Sequence, residues 1–91
     1  MTGFYYVYIL LLSNKQLYTG FTCDLDRRIR EHQSGRVAST SKRQPLKLIH
    51  AEAYRLESDG RRREAFLKTS QGRALLRKQI RDVLKSEGVI E

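Results

Sequence analysis

The sequence predicts an α+β domain in which a small three-stranded sheet, antiparallel or mixed, is flanked by helices in the order ββαβαα. Three observations carry this. Residues 4–12 and 17–21 are rich in aromatic and β-branched side chains and are separated by a short polar turn, the pattern of a strand pair. From Asp24 onward the apolar positions recur at helical rather than alternating spacing. Near the C-terminus, Leu76, Ile80, Val83 and Leu84 form an apolar stripe that returns every three or four residues.

The elements follow in order. The first run ends at Ser13-Asn14-Lys15, a hairpin turn, and residues 17–21 return as a short second strand, stopped by Gly20 and antiparallel to the first. Asp24 or Thr22 is placed to cap the next helix, which puts Leu25, Ile29 and His32 on one face and ends at Gly35. Residues 35–45 are polar, without hydrophobic periodicity, and carry the cations Arg36, Lys42 and Arg43, so a loop is expected. Pro45 opens a third strand over residues 46–54, with Leu46, Leu48 and Ile49 as its apolar content. Residues 57–68 read as a helix despite Gly60, and residues 72–86 as another.

At 91 residues the chain has enough material for one core and too little for two, so a single domain over residues 1–91 is expected. Hydrophobic residues at 40% and charged residues at 31% describe a folded protein rather than a disordered one. Eighteen Lys and Arg against ten Asp and Glu leave a net charge of +8, which attracts a polyanion such as nucleic acid or an anionic membrane surface. The longest apolar run, residues 4–12, is about half of the ~20 residues a membrane helix needs, so no membrane span is expected. No basic stretch precedes that run and no small-residue cleavage site follows it, so no signal peptide is expected. Cys23 is the single cysteine, cannot form an internal disulfide, and fits a reducing, cytoplasmic setting as a buried or semi-buried structural thiol.

The candidate chemistry lies in Tyr8, Tyr18, Arg28, His32 and Glu64. Phosphodiester hydrolysis needs a proton acceptor, a fixed cation for the phosphate and a carboxylate for a metal, and this set offers each. Arg28 and His32 are four residues apart and therefore share a helical face beside Leu25 and Ile29. Taken singly, each has a plainer reading: Arg28 as one surface arginine beside Arg27 and Arg30, His32 as a structural histidine, Glu64 as a solvated helix residue. His50 has no partner pattern and reads as packing or surface.

In this order and spacing the segments resemble the GIY-YIG endonuclease family, of the small standalone type, over residues 4–76. The family's Gly-Ile-Tyr stands here as Tyr6-Val7-Tyr8, with the glycine replaced and the final tyrosine kept, and its Tyr-Ile-Gly stands as Tyr18-Thr19-Gly20. Residues 22–32 resemble the helix that follows, with the family's arginine at Arg28, and residues 63–68 place Glu64 at its metal-binding glutamate. The asparagine that many members carry after that glutamate has no counterpart in residues 69–80, where Gln71 and Gln79 are the amides.

The resemblance implies hydrolysis of DNA with Mg²⁺ or Mn²⁺ as cofactor, on an exposed face of the sheet and its adjoining helices. It implies Tyr8 as the proton acceptor, Tyr18 as the group that positions water or phosphate, Arg28 as the stabiliser of phosphate charge, His32 as an accessory and Glu64 as the metal ligand. Arg36, Lys42, Arg43, Arg61, Arg62, Arg63 and Arg73, with Arg77 and Lys78, are the cations expected to meet the phosphates. No base-reading motif is present, so the expected function is a backbone- or structure-selective DNA endonuclease, with a non-catalytic nucleic-acid-binding module of the same fold as the alternative. Monomer and homodimer are both compatible with the sequence.

Overall fold

In the computed structural model, which describes residues 3–91, the chain runs β1 (Tyr5–Leu11), β2 (Leu17–Thr22), α1 (Leu25–Gln33), β3 (Lys47–Tyr54), α2 (Glu57–Leu67), α3 (Ser70–Gln79) and α4 (Arg81–Ser86). The sheet order is β2-β1-β3, and β1 pairs antiparallel with both neighbours. The predicted α+β class and three-stranded sheet are therefore found, with every pairing antiparallel. The C-terminal helical stretch begins at Ser70, ahead of Gly72, because the Thr69 side chain accepts from the Gly72 amide and caps it. It divides at Ile80, whose backbone leaves helical geometry (φ −110°, ψ 26°), into α3 and α4.

The central strand decides the layering. Side chains alternate along β1, so Val7 and Ile9 face one way and Tyr8, Leu10 and Leu12 the other. The first pair meets Leu67, Leu76, Ile80 and Leu84 from the three C-terminal helices. The second set meets Leu46, Tyr18, Leu25 and Ile29, so α1 covers the opposite face. With helices on both sides, β1 is apolar at every position rather than at every second one. Truncating a side chain such as Leu84, which is fully buried, would cost about 2–5 kcal/mol.

Two local features depart from expectation. Gly20 does not stop β2, which continues to Thr22. Gly20 is instead the residue opposite Tyr8, and a Cβ there would overlap the Tyr8 ring, so the strand must be bare where that ring crosses it. Cys23 is exposed, not buried: it lies in the turn between β2 and α1, where the chain leaves the sheet.

Strand β3 carries a bulge. Ile9 pairs with His50 and Leu10 with Leu48, leaving Ile49 as the extra residue. The bulge sets His50, Glu52 and Tyr54 on the face covered by α2 and α3. No helix among the described residues is long and apolar enough to cross a membrane.

Candidate active site

Tyr8 lies at the middle of β1 with its ring across Gly20 and its hydroxyl 2.8 Å from His32 Nε2. His32 is in the last turn of α1, fully buried, and its Nδ1 is 2.8 Å from Thr40 Oγ1. The sequence places it there. Asp24 caps α1 by accepting from the Arg27 amide, while Thr22 Oγ1 accepts from the Asp24 amide and fixes the turn. Leu25 and Ile29 dock on the sheet, and His32 continues the same face one turn on.

One His32 tautomer gives Tyr8 a proton acceptor. In it Nδ1–H donates to the Thr40 oxygen, whose own hydroxyl lies 3.5 Å from the Val37 carbonyl. Nε2 is then unprotonated and accepts the Tyr8 O–H. Gln44 Nε2 donates to the His32 carbonyl at 2.6 Å, and Ser39 Oγ donates to the Tyr18 hydroxyl at 3.4 Å. The rings of Tyr8, Tyr18 and His32 form a triangle with centroid separations of 6.5, 5.6 and 5.2 Å.

Arg28 borders this triangle on the same helix face, half-buried, with Nη1 3.0 Å from Glu31 Oε1. Burial pushes the Tyr8 phenol above its ordinary value, the Arg28 guanidinium beside it pulls the other way, and the charges of Tyr18 and Glu64 add to the rise. Burial and then the Arg28 charge push His32 below its ordinary value. Both partners of the Tyr8–His32 bond are therefore neutral at neutral pH. The bond with Arg28 holds the Glu31 carboxyl down.

Glu64 comes from α2, with its carboxylate 3.0 Å from Lys68 Nζ and 3.4 Å from Arg61 Nη1. Tyr8, Tyr18, Arg28 and His32 come together, and Glu64, on α2, adds its negative charge to the rise at the Tyr8 hydroxyl. Among the described residues no group of three or more His, Cys, Asp or Glu side chains could hold a metal. Glu64, which shares Arg61 with Glu57, is the candidate anionic donor here. That donor set does not fit a closed zinc-type site, and it fits Mg²⁺, which keeps several waters and takes phosphate oxygens beside one carboxylate.

A cleft of about 480 Å³ opens next to Arg28, between α1 and α2, with Tyr5 and Phe21 on its wall and Arg27 and Arg61 at its rim. The Arg61 guanidinium lies 4.0 Å over the Phe21 ring.

The predicted phosphate-binding cations divide into two groups. Arg61 pairs with Glu57 and Glu64, Arg62 with Asp59, and Arg63 reaches Glu52 with two nitrogens at 2.9 and 3.2 Å and Gln79 at 3.1 Å. Arg63 therefore points across the sheet face toward β3. Arg36, Lys42, Arg43 and Arg73 are exposed, and among the described residues none has an acidic partner within 4.0 Å.

Sequence reasoning missed three residues. Thr40 and Gln44 belong to a stretch without periodicity, where nothing distinguishes a buried threonine from a solvated one. Glu52, hydrogen-bonded by Arg63, His50 and Tyr54, is the hub of a polar cluster behind the site, and His50 is a member of it at 2.9 Å rather than a residue without a partner. Alternation along β3 after the bulge was its only signal.

Two strand tyrosines, an arginine on the following helix and a glutamate on the next one stand in the order that carries the resemblance, and the GIY-YIG catalytic domain matches residues 4–78. The chain belongs to this nuclease family, whose members generally use divalent metal ions. It is 41% identical over 70 residues to the UPF0213 protein HQ_3675A of Haloquadratum walsbyi, covering 76% of this chain and 79% of that one. It is 45% identical over 65 residues to a UPF0213 protein of Syntrophus aciditrophicus, covering 69% and 75%. The solution NMR structure of the UPF0213 protein BH0048 from Bacillus halodurans superposes with a TM-score of 0.55 at 33% identity, covering 84% of each chain.

Proposed function

We propose that the protein is a divalent-metal-dependent DNA endonuclease that hydrolyses phosphodiester bonds and selects its substrate by backbone or structure rather than by base sequence. The observation that carries this is the buried chain Tyr8–His32–Thr40, bordered by Arg28 and within the field of Glu64.

A buried phenol with a raised pKa is a poor base alone. Its hydrogen bond to the bare Nε2 of His32 supplies the remedy: as the Tyr8 oxygen takes a proton from the attacking water, its own proton passes to Nε2 over 2.8 Å. The water oxygen then adds to phosphorus and the leaving oxygen departs with the bonding pair. Thr40 holds the imidazole through Nδ1 during the transfer. Arg28 exchanges Glu31 for the phosphate, and its planar fork stabilises the charge that builds on the equatorial oxygens. Tyr18, held by Ser39, orients the water or a phosphate oxygen. Glu64 would hold the cation, which supplies polarisation of the phosphoryl group when bound.

The test is incubation of the purified protein with supercoiled, single-stranded and branched DNA, with Mg²⁺ or Mn²⁺ and with chelator. Cleavage is expected only with metal, and Arg28→Ala is expected to lower it roughly 100- to 1000-fold, with Glu64→Ala inactive. Cleavage that is absent, or unchanged in both variants, refutes the proposal. Salt-dependent DNA retention without cleavage would instead support the non-catalytic binding module, which the lack of the family asparagine favours.

A further inference from the structure

Behind the edge strand β2, on the face away from the tyrosines, lies a groove of about 440 Å³ between the β1–β2 hairpin and α3. Lys15, Arg73 and Arg77 line it, Leu17, Leu67 and Thr19 contribute its apolar and hydroxyl wall, and no acidic side chain does. Arg73 and Arg77 have no acidic partner within 4.0 Å among the described residues. Lys15 donates to the Glu87 carbonyl at 3.1 Å, and the Glu87 carboxylate is itself paired with Lys47 at 2.8 Å, so the positive charge of the groove stands uncompensated. This contrasts with α2, where Arg61, Arg62 and Arg63 are each neutralised by a carboxylate.

The groove and the site share a wall. Leu17 and Thr19 flank Tyr18 in β2, and strand alternation sends them to the opposite face. Leu67 and Lys68 end the same helix that carries Glu64, and Lys68 pairs with that carboxylate. Since β2 is an edge strand, a chain leaving the site can pass over it without obstruction from a further strand.

We propose that this groove is a second phosphate subsite, in which Lys15, Arg73 and Arg77 hold the sugar-phosphate backbone of the same DNA strand beyond the scissile bond. The inference rests on the nuclease reading and extends it to substrate length: long DNA engages both subsites, short DNA only the catalytic one. Contacts of this kind give affinity without base selectivity.

The test measures binding of fluorescently labelled long and short DNA by anisotropy in chelator, across a salt series, for the full chain and for Arg73→Gln/Arg77→Gln. Both positions are exposed on a helix, glutamine keeps helix propensity, and a melting curve confirms the fold. Long DNA is expected to bind the variant roughly tenfold more weakly, with the log–log salt slope lower by about 1.5, the loss of two contacts at roughly 0.7–0.9 each. Binding of the short oligonucleotide in chelator, and its cleavage once Mg²⁺ is supplied, are expected to stay unchanged. Arg81→Gln/Lys85→Gln, both exposed on α4, removes equal charge outside the groove; if it weakens long DNA as much, net charge alone is acting and the subsite is refuted. An unchanged slope in Arg73→Gln/Arg77→Gln refutes it too, while cleavage by the unaltered protein leaves the nuclease reading standing. Absence of any binding or cleavage by the unaltered protein overturns both.

Discussion

Replacing Thr40 by valine isolates the His32 tautomer from everything else in the site. Valine matches threonine in shape and deletes only the hydroxyl, and Thr40 and His32 are both fully buried, so no water replaces it. His32 Nδ1–H then has no acceptor, and a buried unsatisfied donor costs about 1–3 kcal/mol. For a domain of this size that lowers Tm by roughly 4–8 °C per kcal/mol. The same energy is what biased the imidazole toward the tautomer with a bare Nε2, so removing it lets Nε2–H compete and lowers kcat by up to roughly 5- to 140-fold at about 1.4 kcal/mol per factor of ten. KM is expected to hold, because Thr40 lies behind His32 rather than in the open cleft. The assay is the steady-state rate of plasmid nicking beside a melting curve, with Thr40→Ser restoring both. An undiminished kcat in Thr40→Val, or a Thr40→Ser variant as slow as the valine one, would refute the role of His32 as the acceptor of the Tyr8 proton.

Three further outcomes are expected. His32 titrates below its ordinary 6.5 in the folded protein, so cleavage should be flat through neutral pH and fall only when acid protonates Nε2; stability should begin to fall earlier, as pH drops below about 6.5, because the unfolded chain takes the proton first. Burial raises the Glu52 carboxyl, but hydrogen bonds from Arg63, His50 and Tyr54 outweigh that and hold it at about 2, against 4.5 unperturbed. That gap is worth about 3 kcal/mol, fully present above pH 4.5 and lost as pH falls toward 2, so a urea-titration series should show this acid limb and Glu52→Gln should abolish it. Gly20→Ala should displace the Tyr8 ring, costing about 1–3 kcal/mol by overpacking and most of the activity; a variant that cuts normally would mean that the ring position is irrelevant.

The fold was largely legible because period and punctuation are local. Alternation, the Ser13-Asn14-Lys15 turn and the Asp24 cap are written within a few residues of where they act. The candidate site residues were proposed from order and spacing, since Tyr8, Tyr18, Arg28, His32 and Glu64 sit on regular elements whose faces can be counted. What stayed hidden depends on contacts distant in sequence. The need for Gly20 comes from a ring twelve residues earlier, seen only once Tyr8 and Gly20 are paired. Thr40 acquires its role from the way an aperiodic loop folds over α1, and Arg63 looks like its exposed neighbours until the bulge at Ile49 turns Glu52 toward it.

The two halves of the site have opposite electrostatic needs, and the layering supplies both. Tyr8 must be buried to be held rigidly by β1 and Gly20, yet burial raises its pKa and opposes its use as a base. A phenolate stabilised by cations alone would need those cations fixed in the apolar layer, where they are costly. The chain instead places a neutral acceptor, His32, in that layer and leaves Arg28 at its rim, paired with Glu31. Glu64 lies on the helix that packs on the other face, where Lys68 and Arg61 compensate it and the Glu52–Arg63 pair ties that helix to β3. In the proposed reaction the proton would move within the buried Tyr8–His32–Thr40 chain, while the phosphate would meet Arg28 at the half-buried rim.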